Sequence, residues 1–135
     1  MPSTIAQPAA AMDALDRARA LLGYVLVSAE PGRAVVHMTV RDDMVNGLGV
    51  CHGGLIFTLA DSAMAHASNS HGEAAFAVAA SIDFVSPGVT GAVLTAAAVE
   101  QFRRGRTALY DVVVTSDSGD VIARFHGRTQ HRSSA

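Results

Sequence analysis

Asn46-Gly47 and the run Cys51-His52-Gly53-Gly54 precede a single acid, Asp61, set in an otherwise apolar stretch. A glycine pair that opens a helix leaves backbone N–H groups free at the positive end of the helix dipole. Such an end can hold a carbonyl oxygen as it turns into an oxyanion. A carboxylate in apolar surroundings is costly to bury, and desolvation makes it a stronger base than a surface Asp. Residues 46–61 therefore offer an electrophile-activating group and a carboxylate on one short helix. Asn46, on the preceding loop, is placed to hold an attacking water or to orient the carboxylate. His52 is placed to orient the loop or to bond a substrate.

Spacing constrains how these groups meet. Gly53 and Asp61 are eight residues apart, which on a helix is roughly 12 Å along the axis with a turn offset of about 80°. They cannot both reach one reacting carbon within a single subunit. They can if two such helices lie antiparallel across a two-fold axis, so that one helix start meets the other's acid. If both residues are catalytic, the chain is a dimer with two shared sites. The pair suits hydrolysis of a thioester, which needs a polarised carbonyl and an attacking oxygen. Asp61 either attacks directly, giving an anhydride, or deprotonates water.

The elements that position these residues follow from periodicity. Residues 1–11 read as a flexible N-terminus, 12–130 as one domain and 131–135 as a tail. Met12 to Leu22 fit one short amphipathic helix with Asp13, Asp16, Arg17 and Arg19 outward, stopped by Gly23. Tyr24–Ser28 reads as a strand, Pro31-Gly32 as a turn, and Arg33–Val40 alternates with Ala34, Val36, Met38 and Val40 on one face. From Gly53 to about Ser70 the pattern is helical and apolar nearly all round, which predicts an enclosed core helix. After Gly72 the period becomes two. Strands are expected at Ala74–Val85, Ala92–Gln101, Arg106–Ser116 and Val121–Gln130, and their short connections imply antiparallel neighbours. One long helix wrapped by an antiparallel sheet is an α+β layout.

Composition narrows the function classes. The formal net charge is −2 with no basic tract, which argues against a nucleic-acid partner. All ten basic residues are Arg, so lysine Schiff-base chemistry is excluded. The single Cys forms no intrachain disulfide and fits a reducing compartment. Half of the residues are apolar and only 16% charged, a thin polar coat that predicts apolar surface covered by another subunit. The longest apolar run, Leu55 to Ala65, is short and holds Asp61, so no membrane span is expected. The start, Met1-Pro2-Ser3-Thr4, lacks a basic signal, and a cytoplasmic location is expected. The histidines form no H-E-x-x-H pattern or Cys/His cluster, so no metal site is expected. Cys51 has no orienting third group beside His52 and is not read as a nucleophile.

Asn46-Gly47, Cys51-His52-Gly53-Gly54, Ala60-Asp61-Ser62-Ala63, Ser81-Ile82-Asp83-Phe84 and Arg104-Gly105-Arg106-Thr107 together resemble the hotdog-fold acyl-CoA thioesterases. The branch is the phenylacetic-acid-degradation type, and the resemblance covers residues 12–130. It implies hydrolysis of phenylacetyl-CoA or hydroxyphenylacetyl-CoA, a dimer of dimers, and no cofactor beyond the CoA of the substrate. By motif, it makes Gly53 the oxyanion donor, Asp61 the nucleophile or base, and Asn46 and His52 supporting residues. Some hotdog thioesterases carry Thr or Ser one turn after the acid; here that position is Ala65, and the role is not carried over. Arg103, Arg104, Gly105 and Arg106 form a basic turn suited to the phosphates of the CoA moiety. Two rival readings are a hotdog enoyl-CoA hydratase or dehydratase, which places a His and an acid together, and a non-catalytic acyl-CoA sensor.

Overall fold

Alternation decides the strands. In Arg33–Thr39 every second residue is buried, and Ala34, Val36 and Met38 line the core with Val40 just beyond. The computed structural model describes residues 4–132, and expectations for residues 1–3 and 133–135 fall outside them. In chain order the elements are helices α1 (Gln7–Leu15) and α2 (Arg17–Leu22), strands β1 (Val25–Glu30) and β2 (Arg33–Thr39), a 3-10 turn (Asp42–Met44) and helix α3 (Gly53–Asn69). Strands β3 (Ala75–Phe84), β4 (Val93–Arg104), β5 (Thr107–Ser116) and β6 (Val121–His131) follow.

The six strands form one antiparallel sheet in the order β1-β2-β4-β5-β6-β3, and all six contact α3. This is the α+β hotdog arrangement: one long helix, short N-terminal helices and a wrapping sheet. One side of α3, with Ile56, Leu59, Ala60, Ala63, Met64 and Ala67, is buried against the sheet. Gly127 lets β6 cross close over the helix, because a β-carbon there would overlap the Met64 thioether.

Four expectations are corrected. The domain does not start at residue 12: α1 begins at Gln7, with a proline in its first turn, where a missing N–H costs nothing. The segment 12–22 is not one helix. It breaks at Asp16, whose extended backbone lets its carboxylate accept the Arg19 N–H at 3.1 Å and the Tyr24 hydroxyl at 2.7 Å. Capping by a short acid outcompetes helix continuation here, and the break leaves Leu15 and Leu21 exposed. His131 is not tail: it is the last residue of β6 and is buried. Finally, β3 and β4 are not neighbours. Residues 85–92 cross from one edge of the sheet to its middle, so the short-connection rule fails at Ser86-Pro87-Gly88.

The two sheet edges differ. Along β1, Ile5 bridges Ala29 in parallel, with Ala6 N–H donating to the Ala29 carbonyl and Ala29 N–H to that of Thr4, both at 2.8 Å. Among the described residues no strand covers the outer side of β3, where Phe76, Val78 and Phe84 are exposed. An open apolar edge is a template for another chain.

Candidate active site

Helix α3 starts without a side-chain cap. His52, the residue before it, has extended backbone (φ −59°, ψ 132°) and caps nothing with its ring. Its N–H donates to the Met44 carbonyl at 2.9 Å, and the Cys51 N–H to that of Gly88 at 2.8 Å, so the loop leading into the helix is held at both residues. Leu55 and Ile56 N–H groups return to the His52 carbonyl. Among the described residues the N–H groups of Gly53 and Gly54 meet no acceptor. They are the free donors anticipated at the positive end of a helix.

Asn46 shapes the loop in front of them. Its side-chain oxygen accepts from the Leu48 N–H at 2.9 Å and the Val50 N–H at 3.4 Å, and its own N–H donates to the Val50 carbonyl at 2.8 Å. Among the described residues the carboxamide NH2 takes no partner. Asn46 and Gly53 share the wall of one cleft of about 400 Å³ with Val50, Ile56, Phe84 and Pro87. That cleft opens beside the end of β3, the uncovered edge.

Asp61 does not line this cleft. It sits two turns along α3, on the stripe Gly54, Thr58, Asp61, Ala65 that the sheet leaves partly open. The expectation of a helix enclosed on every side is thus corrected within one subunit: one face is open, and the acid is on it. The Asp61 carboxylate has no hydrogen-bond or ion-pair partner among the described residues. Burial raises its pKa above the ordinary carboxylate value, with no cation nearby to oppose the rise. The structure therefore brings Asn46 and Gly53 together and holds Asp61 apart.

The remaining sequence candidates separate likewise. The His52 ring is exposed beside the helix start and bonds nothing among the described residues. Arg103, Arg104, Gly105 and Arg106 form the β4–β5 turn at the other end of α3. There the Arg106 carbonyl accepts the His131 N–H at 2.6 Å, and Arg103 lies 3.8 Å from Glu73. Cys51 is buried, and burial pushes its thiol pKa up, the opposite of what a nucleophile needs. Among the described residues no group of His, Cys, Asp or Glu is arranged to hold a metal ion. No helix among the described residues is long and apolar enough to cross a membrane. Phe84 and the segment 85–88 are cleft residues that sequence reading missed. The Ser86-Pro87-Gly88 signal was there, and it reads as a turn rather than as a wall.

Proteins of known sequence and structure that resemble this chain share one family. The profile of the thioesterase superfamily matches residues 48–123. The acyl-coenzyme A thioesterase PaaI of Escherichia coli is 43% identical over 126 residues, covering 93% of this chain and 89% of that protein. The solved structure of E. coli PaaI superposes with a TM-score of 0.92 over 94% of this chain and 92% of its own. Human acyl-coenzyme A thioesterase 13 is 34% identical, with 78% of each chain covered. A Streptococcus mutans protein solved with acetyl CoA bound is 29% identical, covers 82% of this chain and 89% of its own, and gives a TM-score of 0.78. The chain belongs to the thioesterase superfamily, as a hotdog-fold acyl-CoA thioester hydrolase of PaaI type.

Proposed function

We propose that this enzyme hydrolyses an aryl-acetyl-CoA thioester, phenylacetyl-CoA or hydroxyphenylacetyl-CoA, to the free acid and CoA, and that each site is shared by two subunits. The observation that carries the reading is the separation within one chain: a free Gly53 donor in a cleft, and an unpartnered Asp61 outside it. Pairing two chains along β3 and α3 sets each cleft against the other subunit's acid. The aryl-acetyl group rests on similarity to PaaI, and one solved relative is named a phenylacetic acid degradation protein, from Thermus thermophilus.

The thioester oxygen settles on the Gly53 N–H. With Asp61 of the partner subunit as base, a water gives up a proton to that carboxylate as its oxygen bonds the carbonyl carbon. The C=O π pair moves to the oxygen, where the helix start stabilises it. Collapse breaks the C–S bond, and the CoA sulfur leaves with the proton returned from the acid. With Asp61 as nucleophile its carboxylate oxygen bonds the carbonyl carbon, the C–S bond breaks and CoA leaves as the thiolate; water then opens the resulting anhydride to the free acid and the Asp61 carboxylate. Asn46 uses its free NH2 to hold the attacking water or the carboxylate, and His52 contacts the substrate at the mouth. The donor is backbone and the base a carboxylate, so the reaction calls for no metal or redox cofactor.

The Arg103–Arg106 turn takes the phosphates of CoA. Its place at the far end of α3 makes it a candidate for contact with the partner's substrate once the helices lie antiparallel. Two such dimers assemble into a tetramer, which accounts for further exposed apolar residues such as Leu15 and Phe102. CoA esters are made and used inside cells, so the reading places the enzyme in the cytoplasm.

The test is free-thiol release from phenylacetyl-, hydroxyphenylacetyl-, benzoyl-, short and long alkanoyl- and crotonyl-CoA. The expected result is fastest release from the aryl-acetyl esters. Preference for an alkanoyl ester would overturn the substrate, and water addition to crotonyl-CoA without thiol release would favour a hydratase.

A further inference from the structure

We propose that Phe84 determines acyl-group specificity: its ring is the wall on which the substrate's aromatic ring stacks while the thioester oxygen rests on the Gly53 N–H. The inference rests on the aryl-acetyl reading above and assigns that preference to a residue.

Phe84 ends β3, and its side chain remains 54% exposed in the single chain although it is a large apolar group. What it touches explains its placement. Its Cζ would lie 2.9 Å from a β-carbon built on Gly53, and its Cε1 and Cε2 3.3 Å away. The far end of the ring therefore rests directly on the helix start, in the space a side chain at position 53 would take. The rest of the residue is fixed from behind. Phe84 pairs in register with buried Ala123, and the next N–H, that of Val85, donates to the Ile122 carbonyl at 2.8 Å. The tip of the ring is thus set beside the donor, and the residue lines the cleft.

Among the described residues Phe84 is the only aromatic side chain lining that cleft; Val50, Ile56, Val85 and Pro87 add aliphatic surface, and Asn46, Cys51 and Ser86 the polar side chains and the thiol. Aromatic pairs prefer offset or edge-to-face contact and gain beyond simple area burial. An acyl ring one methylene from the carbonyl can turn against Phe84 without moving the oxygen off Gly53. A benzoyl ring is conjugated with its carbonyl and cannot turn independently. An alkanoyl chain fills the space but has no ring to stack. The wall thus ranks aryl-acetyl above both.

The test compares wild type, Phe84→Leu and Phe84→Tyr on phenylacetyl-CoA and hexanoyl-CoA, in the assembled protein. The kcat/KM ratio within one preparation cancels any loss of folded enzyme. Phe84→Leu is expected to lower the phenylacetyl/hexanoyl ratio by about two- to tenfold, the range that one aromatic contact supplies. The loss should fall mainly on the KM for phenylacetyl-CoA, because stacking is present before and during reaction. Phe84→Tyr keeps a ring and should keep the ratio. A wild type that prefers phenylacetyl-CoA and a Phe84→Leu variant with the same preference would overturn the role of Phe84 alone. A wild type that prefers hexanoyl-CoA would overturn the substrate reading and the stacking role with it.

Discussion

The two ends of α3 are built to opposite rules. At its C-terminal end most polar groups are tied down, the buried Nδ1 atoms of His66 and His131 excepted. The Ser70 hydroxyl and N–H both donate to the His66 carbonyl, and Asn69 bonds the Ala65 and Ala75 carbonyls and the Ala75 N–H. Buried Ser68 lies 2.7 Å from the Thr129 hydroxyl and 3.3 Å from the His131 ring, and beyond it Glu100 holds both His71 and Tyr110 at 2.9 Å. At the N-terminal end two N–H groups meet no acceptor and no side chain caps the helix. A helix start left bare in a cleft offers its free N–H to a ligand oxygen. The satisfied end holds the helix in place for the unsatisfied one to work.

Substitutions at the two ends should therefore fail differently. The largest effect is expected for Asp61→Asn, which keeps shape and removes the base or nucleophile; kcat for thiol release should fall by about 10²- to 10⁴-fold. Gly53→Pro comes next. Proline is tolerated at the first helical position, and the extended His52 backbone suits a following proline, so the change removes one N–H with little cost to the helix. The flexible end of the Phe84 ring must shift slightly. Loss of one oxyanion donor should lower kcat by roughly 10²- to 10³-fold. A Gly53→Pro enzyme with normal kcat would mean that the bare donor is not used.

Ser68→Ala should do the reverse. It strands the Thr129 hydroxyl and the His131 ring in the core and should cost about 1–3 kcal/mol in denaturant unfolding, with kcat unchanged. A drop in kcat at equal folded fraction would break the division between the two ends.

Titration gives the smallest effect. Burial raises the pKa of Asp61 in the folded state, so its acid form is favoured there relative to the unfolded chain. The stability this contributes is full below the unfolded carboxylate pKa and is lost as pH rises through the folded value. Asp61→Asn, which stays uncharged, should melt higher than wild type at neutral pH and lose that advantage under acid conditions. In wild type, kcat should fall with decreasing pH, with its midpoint above the ordinary Asp range. Equal melting of the two proteins at every pH would remove the desolvation argument.

The sequence carried the bare end of α3 better than the surroundings that make it a site. The apolar run after Gly53-Gly54 set the helix to within a residue of Asn69, because a long period of 3.6 is a strong signal. The alternation in Arg33–Val40 likewise placed a strand and its buried face. Two neighbouring features lay beyond local pattern. The break at Asp16 depends on a hydrogen bond from Tyr24, eight residues on. The position of β3 at the sheet edge depends on pairing with β6, which no feature of residues 85–92 encodes locally. The cleft wall at Phe84 follows from that pairing, so it too was invisible, although Asn46, Gly53 and Asp61 were not.

The central claim is that one subunit's helix start works with the other subunit's acid. Asp61→Asn and Gly53→Pro chains would be co-expressed with different tags, and the mixed assembly isolated through both. Each variant alone should be nearly inactive. The mixed assembly should regain up to about half of the wild-type rate, because each dimer in it with one chain of each kind has one site with an intact Gly53 from one chain and an intact Asp61 from the other. A mixed assembly no more active than its parents would place both groups in the same subunit's site and contradict the account.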